Sequence, residues 1–218
     1  MQGEGKDQRR QWDQTYAVDE FFGAEPSHLG RSALELFERR GARRVLELGC
    51  GQGRDTWLFL SRGLEVIALD YSETGICHMR ERARGRGGEG ALELRVHDVR
   101  QGIPLEDASV DAVYSHMFFT MELTEREIAR ILAECRRVLR PGGVNVFSVR
   151  NDHDPDYGRF EPRGEGMYRN PRGFVVHFFT EDKLRRLSAD YNLLGMKEFS
   201  EGSPPLQKRL YEVVLEKP

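Results

Sequence analysis

The chain has 218 residues, of which 39% are hydrophobic and 32% charged, with 33 basic and 36 acidic side chains and a formal charge of -3. Those values fit one globular domain able to bury its own core, and they exclude a chain too polar to fold. They supply no broad positive field for a nucleic-acid backbone; the N-terminal MQGEGKDQRRQWDQ is polar throughout, unlike a signal peptide, and no run has the length and apolarity of a membrane span.

Three cysteines, Cys50, Cys77 and Cys135, are odd in number and far apart. That pattern argues against a disulfide framework or structural zinc, and it points to a reducing, cytoplasmic home. Residues 1–26 alternate polar and aromatic side chains, with Trp12, Tyr16, Phe21 and Phe22, and read as a short helix or arm. SHLGRSALELFERRG follows as an amphipathic helix, started by Pro26 and Ser27 and ended by Gly41.

RRVLELG (43–49) is a short apolar run closed by glycine, and it predicts a buried strand. RDTWLFLSRG is helical, LEVIALD (64–70) a strand, and SETGICHMRERARGRGG a helix dissolving into a Gly/Arg loop. ALELRVHDV (91–99) and SVDAVYSHM (109–117) are the third and fourth strands. In TEREIARILAECRRVLRPGG, Thr124 and Glu127 form a capping-box pattern, Ile128, Ile131, Leu132, Cys135, Val138 and Leu139 share one face, and Pro141-Gly142-Gly143 ends the helix. VNVFSVR (144–150) is the fifth strand. Residues 151–179, rich in Gly, Pro, charge and aromatics, read as an insertion or lid on the substrate side. TEDKLRRLSADY is a helix capped by Thr180, and LLGMKEFS and RLYEVVLEKP are two closing strands. Five alternations of strand and helix favour an α/β doubly wound, mostly parallel sheet within a single domain, 1–218.

The chemistry concentrates at VLELGCGQGRD. Gly49, Gly51 and Gly53 sit where a strand hands over to a helix, so backbone can approach a ligand and free helical N–H groups point toward it. Asp70 closes the next strand, 21 residues after Gly49, where a carboxylate accepts hydrogen bonds from both hydroxyls of a ribose. A dinucleotide fingerprint requires G-x-G-x-x-G, but Arg54 and Asp55 follow Gly53 here. Glu47 ahead of the glycines would repel a pyrophosphate and welcome an ammonium group. The pattern therefore points to a ligand with adenosine, a positive charge and no phosphate.

These motifs resemble the class I S-adenosylmethionine-dependent methyltransferases over residues 43–150. VLELGCGQG is similar to their first motif, VIALDYS to their ribose-binding strand end, VHDVRQGIPLEDASVDAVYS to their third and fourth strands, and ILAECRRVLRPGGVNVFSV to their later helix and fifth strand. The resemblance implies a seven-stranded sheet in the order 3-2-1-4-5-7-6 with strand 7 antiparallel. It implies S-adenosylmethionine as cofactor, with Glu47 toward the methionyl amine, the three glycines beneath the methionyl part and ribose, and Asp70 on the ribose hydroxyls. Tyr71 would lie along the adenine, Asp98 would accept from its amino group with the Val99 N–H nearby, and Ser115 and His116 would face the methionyl group and the acceptor.

WDQTYAVDEFFGAEPS resembles the lead-in of small-molecule methyltransferases of the tellurite-resistance and thiopurine type, whose arm closes over the cofactor. Trp12 and Tyr16, four apart, share a helical face. They either cover a sulfonium and wall the acceptor site or pack the arm onto the domain. His116, His153 and His177 are the candidate proton acceptors. D-H-D-P-D at 152–156 lacks a calcium-loop pattern, and no metal site is expected. The arginines at 80, 82, 84 and 86 lack interleaved aromatics and suit a solvated helix end.

The expected activity is methyl transfer to a small molecule by direct in-line attack, with no nucleic-acid or membrane partner. An NAD-dependent oxidoreductase of similar architecture, a nucleic-acid methyltransferase and a non-catalytic cofactor binder are the competing readings.

Overall fold

The computed structural model describes residues 4–18, 21, 23–86, 90–204 and 207–218; Phe22, Gly87 and Gly88 lie outside them. The polar N-terminal stretch forms helix α1 (Glu4–Tyr16). Helix α2 (His28–Arg39) is started by Ser27, whose side chain accepts from the Gly30 N–H. Strand β1 (Arg44–Leu48), helix α3 (Arg54–Ser61), strand β2 (Glu65–Asp70), helix α4 (Glu73–Arg86) and strand β3 (Leu92–Val96) then alternate. Strand β4 (Val110–His116) leads to helix α5 (Glu125–Val138), whose first turn carries the full Thr124–Glu127 capping box.

Strand β5 (Leu139–Arg150) follows α5 without a gap. The sequence predicts a helix running to Pro141, but Leu139 is already extended (ψ 140°) and pairs with Val110. The residue before a proline is pushed out of the helical region, and pairing with β4 moves the break one residue earlier still. The third strand also stops short of its expected end. Asp98 caps a single 3-10 turn, Val99–Gln101, by accepting from the Arg100 N–H.

The segment read as a lid contains its own antiparallel sheet of β6 (Glu161–Gly164), β7 (Met167–Arg169) and β8 (Val175–His177). Helix α6 (Glu181–Leu187), capped by Thr180, and strands β9 (Asn192–Glu201) and β10 (Lys208–Glu216) close the chain.

The main sheet has the order β3-β2-β1-β4-β5-β10-β9, as the resemblance implies. The first five strands are parallel, and β10 runs antiparallel to both neighbours. Successive strand residues point to opposite faces, and both faces are covered. Val45, Val66, Ala112 and Tyr114 pack toward α2, α3 and Ile76 of α4. Leu46, Ile67, Val113 and Phe147 pack toward α5 and Leu184 of α6. This double burial explains why the strands read as continuous apolar runs. It also fixes Glu47 on the face of α3, because Glu47 is two residues from Val45.

Candidate functional site

A cavity of about 170 Å³ opens at the carboxyl ends of β1, β2 and β4. Its floor is the glycine turn. Gly49, Gly51 and Gly53 all have positive φ, at +70°, +54° and +81°. A Cβ on Gly51 would stand 2.8 Å from the Tyr16 hydroxyl, and one on Gly53 would strike the Met79 sulfur. The turn is held from β2: Asp70 accepts from the Gly51 N–H at 2.8 Å with one oxygen and from the Ser72 N–H at 2.8 Å with the other. Burial pushes the Asp70 carboxyl up to about 6 against the pull of those two N–H groups. A carboxylate has about four acceptor sites, so capacity remains for a ligand hydroxyl.

Glu47 lines the cavity at 3% exposure and accepts from the Thr56 hydroxyl at 2.5 Å. Burial pushes its carboxyl up to about 8, beyond what the Thr56 hydrogen bond restores, and Asp55 and Asp70 add to the rise. A buried acid in this condition gains from a neighbouring cation and would lose from an anion. Cys50 is buried, and its thiol is pushed well up by desolvation, first of all, and by Asp70, so it is no nucleophile.

Tyr71, Asp98 and Val99 reach the same cavity from the ends of β2 and β3. Asp98 is clasped by Arg100, whose Nε donates to its two oxygens at 2.9 and 3.0 Å and whose Nη2 donates at 2.6 Å. Although burial raises it, the Arg100 hydrogen bonds hold the Asp98 carboxyl below its usual range.

His116 lines the cavity at the end of β4 with both ring nitrogens engaged. Nδ1 lies 2.8 Å from the Ser148 hydroxyl, and Nε2 lies 3.1 Å from Glu201, which also meets Arg54 at 3.0 Å. Burial raises Glu201, but His116 and Arg54 prevail and hold its carboxyl down at about 2. To take a proton from a substrate, His116 must first release one partner. Ser115 is fully buried and does not line the cavity. Strand alternation sends its side chain to the face opposite His116, so the structure leaves this expected cofactor contact outside the site.

Helix α1 supplies one wall of the cavity. Gln8, Trp12 and Tyr16 recur every four residues and all line the cavity. Trp12 stacks on Tyr16 at 5.4 Å and meets Phe174 edge-on at 5.2 Å. Desolvation, then Asp70, pushes the Tyr16 phenol well up, which makes it a donor and not a base. Asp13 anchors the helix by accepting from the Ser72 hydroxyl at 2.6 Å and the Thr74 N–H at 3.3 Å. The two readings of Trp12 and Tyr16 therefore coincide: the residues that pack the arm down also wall the cavity.

Two further residues have roles that motif reading missed. Gln52 donates to the Tyr16 and Val18 carbonyls at 3.2 and 2.9 Å and accepts from the Phe21 N–H at 3.0 Å, pinning the arm to the glycine turn. Asp55 accepts from the Ser27 N–H, the Ser27 hydroxyl and the Tyr114 hydroxyl at 2.7, 2.8 and 2.6 Å, joining α2, α3 and β4 beneath the floor. The one sequence signal for both was a polar residue inside a motif otherwise built for burial.

The other histidines stand elsewhere. His153 meets Glu198 at the surface at 3.2 Å. His177 is fully buried; burial, then Lys183, pushes it down to about 4, and its Nδ1 braces the Leu123 carbonyl of the cavity wall at 2.7 Å. In D-H-D-P-D, Asp154 is a structural anchor that accepts from the Arg150 guanidinium and from the Asp156 and Arg209 N–H groups, the last two at 2.9 Å. No residue of 151–179 lines the cavity; Phe174 and Val175 instead support α1 from behind. Among the described residues no helix is long and apolar enough to cross a membrane.

A methyltransferase-domain family model matches residues 45–143. A probable S-adenosylmethionine-dependent methyltransferase of Mycolicibacterium smegmatis is 39% identical over 131 residues, covering 58% of this chain and 46% of that protein. A tRNA N(3)-methylcytidine methyltransferase, Mettl2, of Drosophila melanogaster is 30% identical over 162 residues, covering 69% and 49%. The chain thus spans about half the length of these curated relatives. Among solved structures, the Burkholderia thailandensis 1,6-didemethyltoxoflavin-N1-methyltransferase, with bound 1,6-didemethyltoxoflavin and S-adenosylhomocysteine, aligns with a TM-score of 0.74. It covers 100% of this chain and 91% of that one at 20% identity, a likeness of fold. Strand order, glycine turn and relatives agree that the chain has the class I S-adenosylmethionine-dependent methyltransferase fold and is related to those proteins.

Proposed function

We propose that this chain binds S-adenosylmethionine and transfers its methyl group to a small-molecule acceptor. The observation that carries the reading is the pairing of a buried, cation-seeking Glu47 with a positive-φ glycine floor held by Asp70. Those residues fit the group: Glu47 would hold the methionyl amine, Gly49, Gly51 and Gly53 would leave room for the chain and sugar, and Asp70 would take the ribose hydroxyls. Tyr71, Asp98 and Val99 would border the adenine. When bound, S-adenosylmethionine supplies an already activated methyl group.

The protein's own contribution is placement and exclusion of water. Helix α1 walls the cavity with Trp12 and Tyr16, whose ring faces suit a nearby positive centre. His116, fixed between Ser148 and Glu201, would border the acceptor. A small acceptor is supported by this aromatic wall and by the overall charge of -3. A second reading, transfer to RNA, is favoured by the Drosophila relative and by the exposed Arg80 and Arg84 of α4.

The test is calorimetric titration with S-adenosylhomocysteine and with NAD, followed by transfer of labelled methyl to a panel of small thiols, phenols, amines and heterocycles beside total tRNA. We expect the adenosylhomocysteine to bind, NAD not to bind, and label to enter a small molecule. Tight NAD binding, or label entering tRNA alone, would refute the proposal.

A further inference from the structure

Gln8 is 5% exposed and lines the cavity on the same helical face as Trp12 and Tyr16. Its Nε2 donates to the Val175 carbonyl at 3.3 Å, and a carbonyl can only accept, so this contact fixes which way the amide points. The other end of the amide, Oε1, is buried and has no hydrogen-bond partner among the described residues. A buried carbonyl oxygen left unmatched is unfavourable by about as much as one hydrogen bond is worth, and native structures leave few of them. The cavity that Gln8 lines also carries Trp12 and Tyr16, stacked at 5.4 Å, and the apolar Phe118, Met121 and Leu123 on its walls.

Resting on the methyl-transfer reading above, we infer that Gln8 selects the acceptor: its Oε1 receives an N–H or O–H from a flat, largely apolar ring compound seated against Trp12 and Tyr16. The ring faces supply contact area at little cost in rotamer freedom. The lone oxygen supplies direction, because a ring without a donor would leave it unmatched. The sheet β6-β7-β8 takes its place in this arrangement. It lies outside the cavity, yet Val175 orients Gln8 and Phe174 backs Trp12.

Indole and 1-methylindole form a matched probe pair, one with an N–H and one without. Their binding to the full chain is measured by ligand-observed NMR in the presence of saturating S-adenosylhomocysteine, whose own affinity is measured first. We expect indole to bind about tenfold more tightly than 1-methylindole. Gln8→Met should bring the two within about twofold while adenosylhomocysteine affinity stays within about threefold. Gln8→Glu, which keeps an acceptor oxygen, should retain the preference for indole.

Equal binding of the two probes to the parent protein overturns the inference without any variant. So does the binding of neither below about 10 mM, or a preference that survives in Gln8→Met. If adenosylhomocysteine itself fails to bind, the cofactor reading fails first, and the same probe pair run without it still decides the role of Gln8.

Discussion

Replacing Glu47 by glutamine should weaken the cofactor site and strengthen the empty protein at once. Glu47 is 3% exposed, and its carboxyl is displaced from 4.5 to about 8. At pH 7 only about one carboxyl in ten is then ionised, and at pH 6 about one in a hundred. The ammonium of a free amino-acid end, beside its own carboxylate, keeps its proton to well above about pH 8. The productive pair of charges therefore becomes commoner by roughly ninefold between pH 6 and pH 7, and by roughly fivefold more by pH 8. Asp70, displaced to about 6, adds to the loss at the acid end.

Adenosylhomocysteine affinity should follow that rise, with close to one proton released per molecule bound near pH 7. Calorimetry in two buffers of different ionisation heat counts it. In Glu47→Gln the proton release should vanish, and affinity at pH 8 should fall by roughly 10- to 100-fold, the worth of a hydrogen bond to a charged group. The empty protein responds in the opposite sense. A raised carboxyl contributes stability that is fully present below about pH 4.5 and is lost as pH rises through about 8. Glutamine has no proton to lose, so Glu47→Gln should be the more stable protein at pH 8, by on the order of a few kcal/mol, with the advantage shrinking toward pH 5. Denaturant melts at both pH values measure it. Affinity that is flat from pH 6 to pH 8 without proton release, or a variant no more stable than its parent at pH 8, would refute the reasoning.

Asp70→Ala removes the acceptor for the Gly51 and Ser72 N–H groups as well as for the ribose, so adenosylhomocysteine affinity should drop at least about 100-fold by calorimetry. His116→Ala should lower turnover, on the acceptor found in the labelled-methyl screen, by about tenfold or more while moving adenosylhomocysteine affinity less than about threefold; unchanged turnover would remove His116 from the site. Asp154→Ala leaves the buried Arg150 guanidinium with Asp156 alone and frees two backbone N–H groups, so denaturant unfolding should show a loss on the order of 3 kcal/mol with little effect on the cofactor site.

The sequence by itself determined the order of elements and the character of the ligand floor. Strands buried on both faces must be continuously apolar, and helices must repeat every three to four residues, so VLEL, VIAL and the α5 stripe announced themselves. Glycine at 49, 51 and 53 was legible because few other residues adopt positive φ, and Glu47 and Asp70 because acids at buried strand ends need a reason to be there. Local rules did not fix where α5 yields to β5, since pairing of Leu139 with Val110 is a contact between strands.

Only tertiary structure showed that Ser115 faces away from the cavity, that His116 has both nitrogens engaged by Ser148 and Glu201, and that Asp98 is clasped by Arg100. Only tertiary structure joined Gln52 to the arm, Asp55 to Ser27 and Tyr114, and Val175 to Gln8. These pairs lie 28 to 167 residues apart, and no local periodicity encodes them. A motif specifies the backbone shape that a short stretch must adopt. Which side chain completes a buried hydrogen bond depends on what distant elements bring within about 3 Å, and the packing of the whole chain decides that.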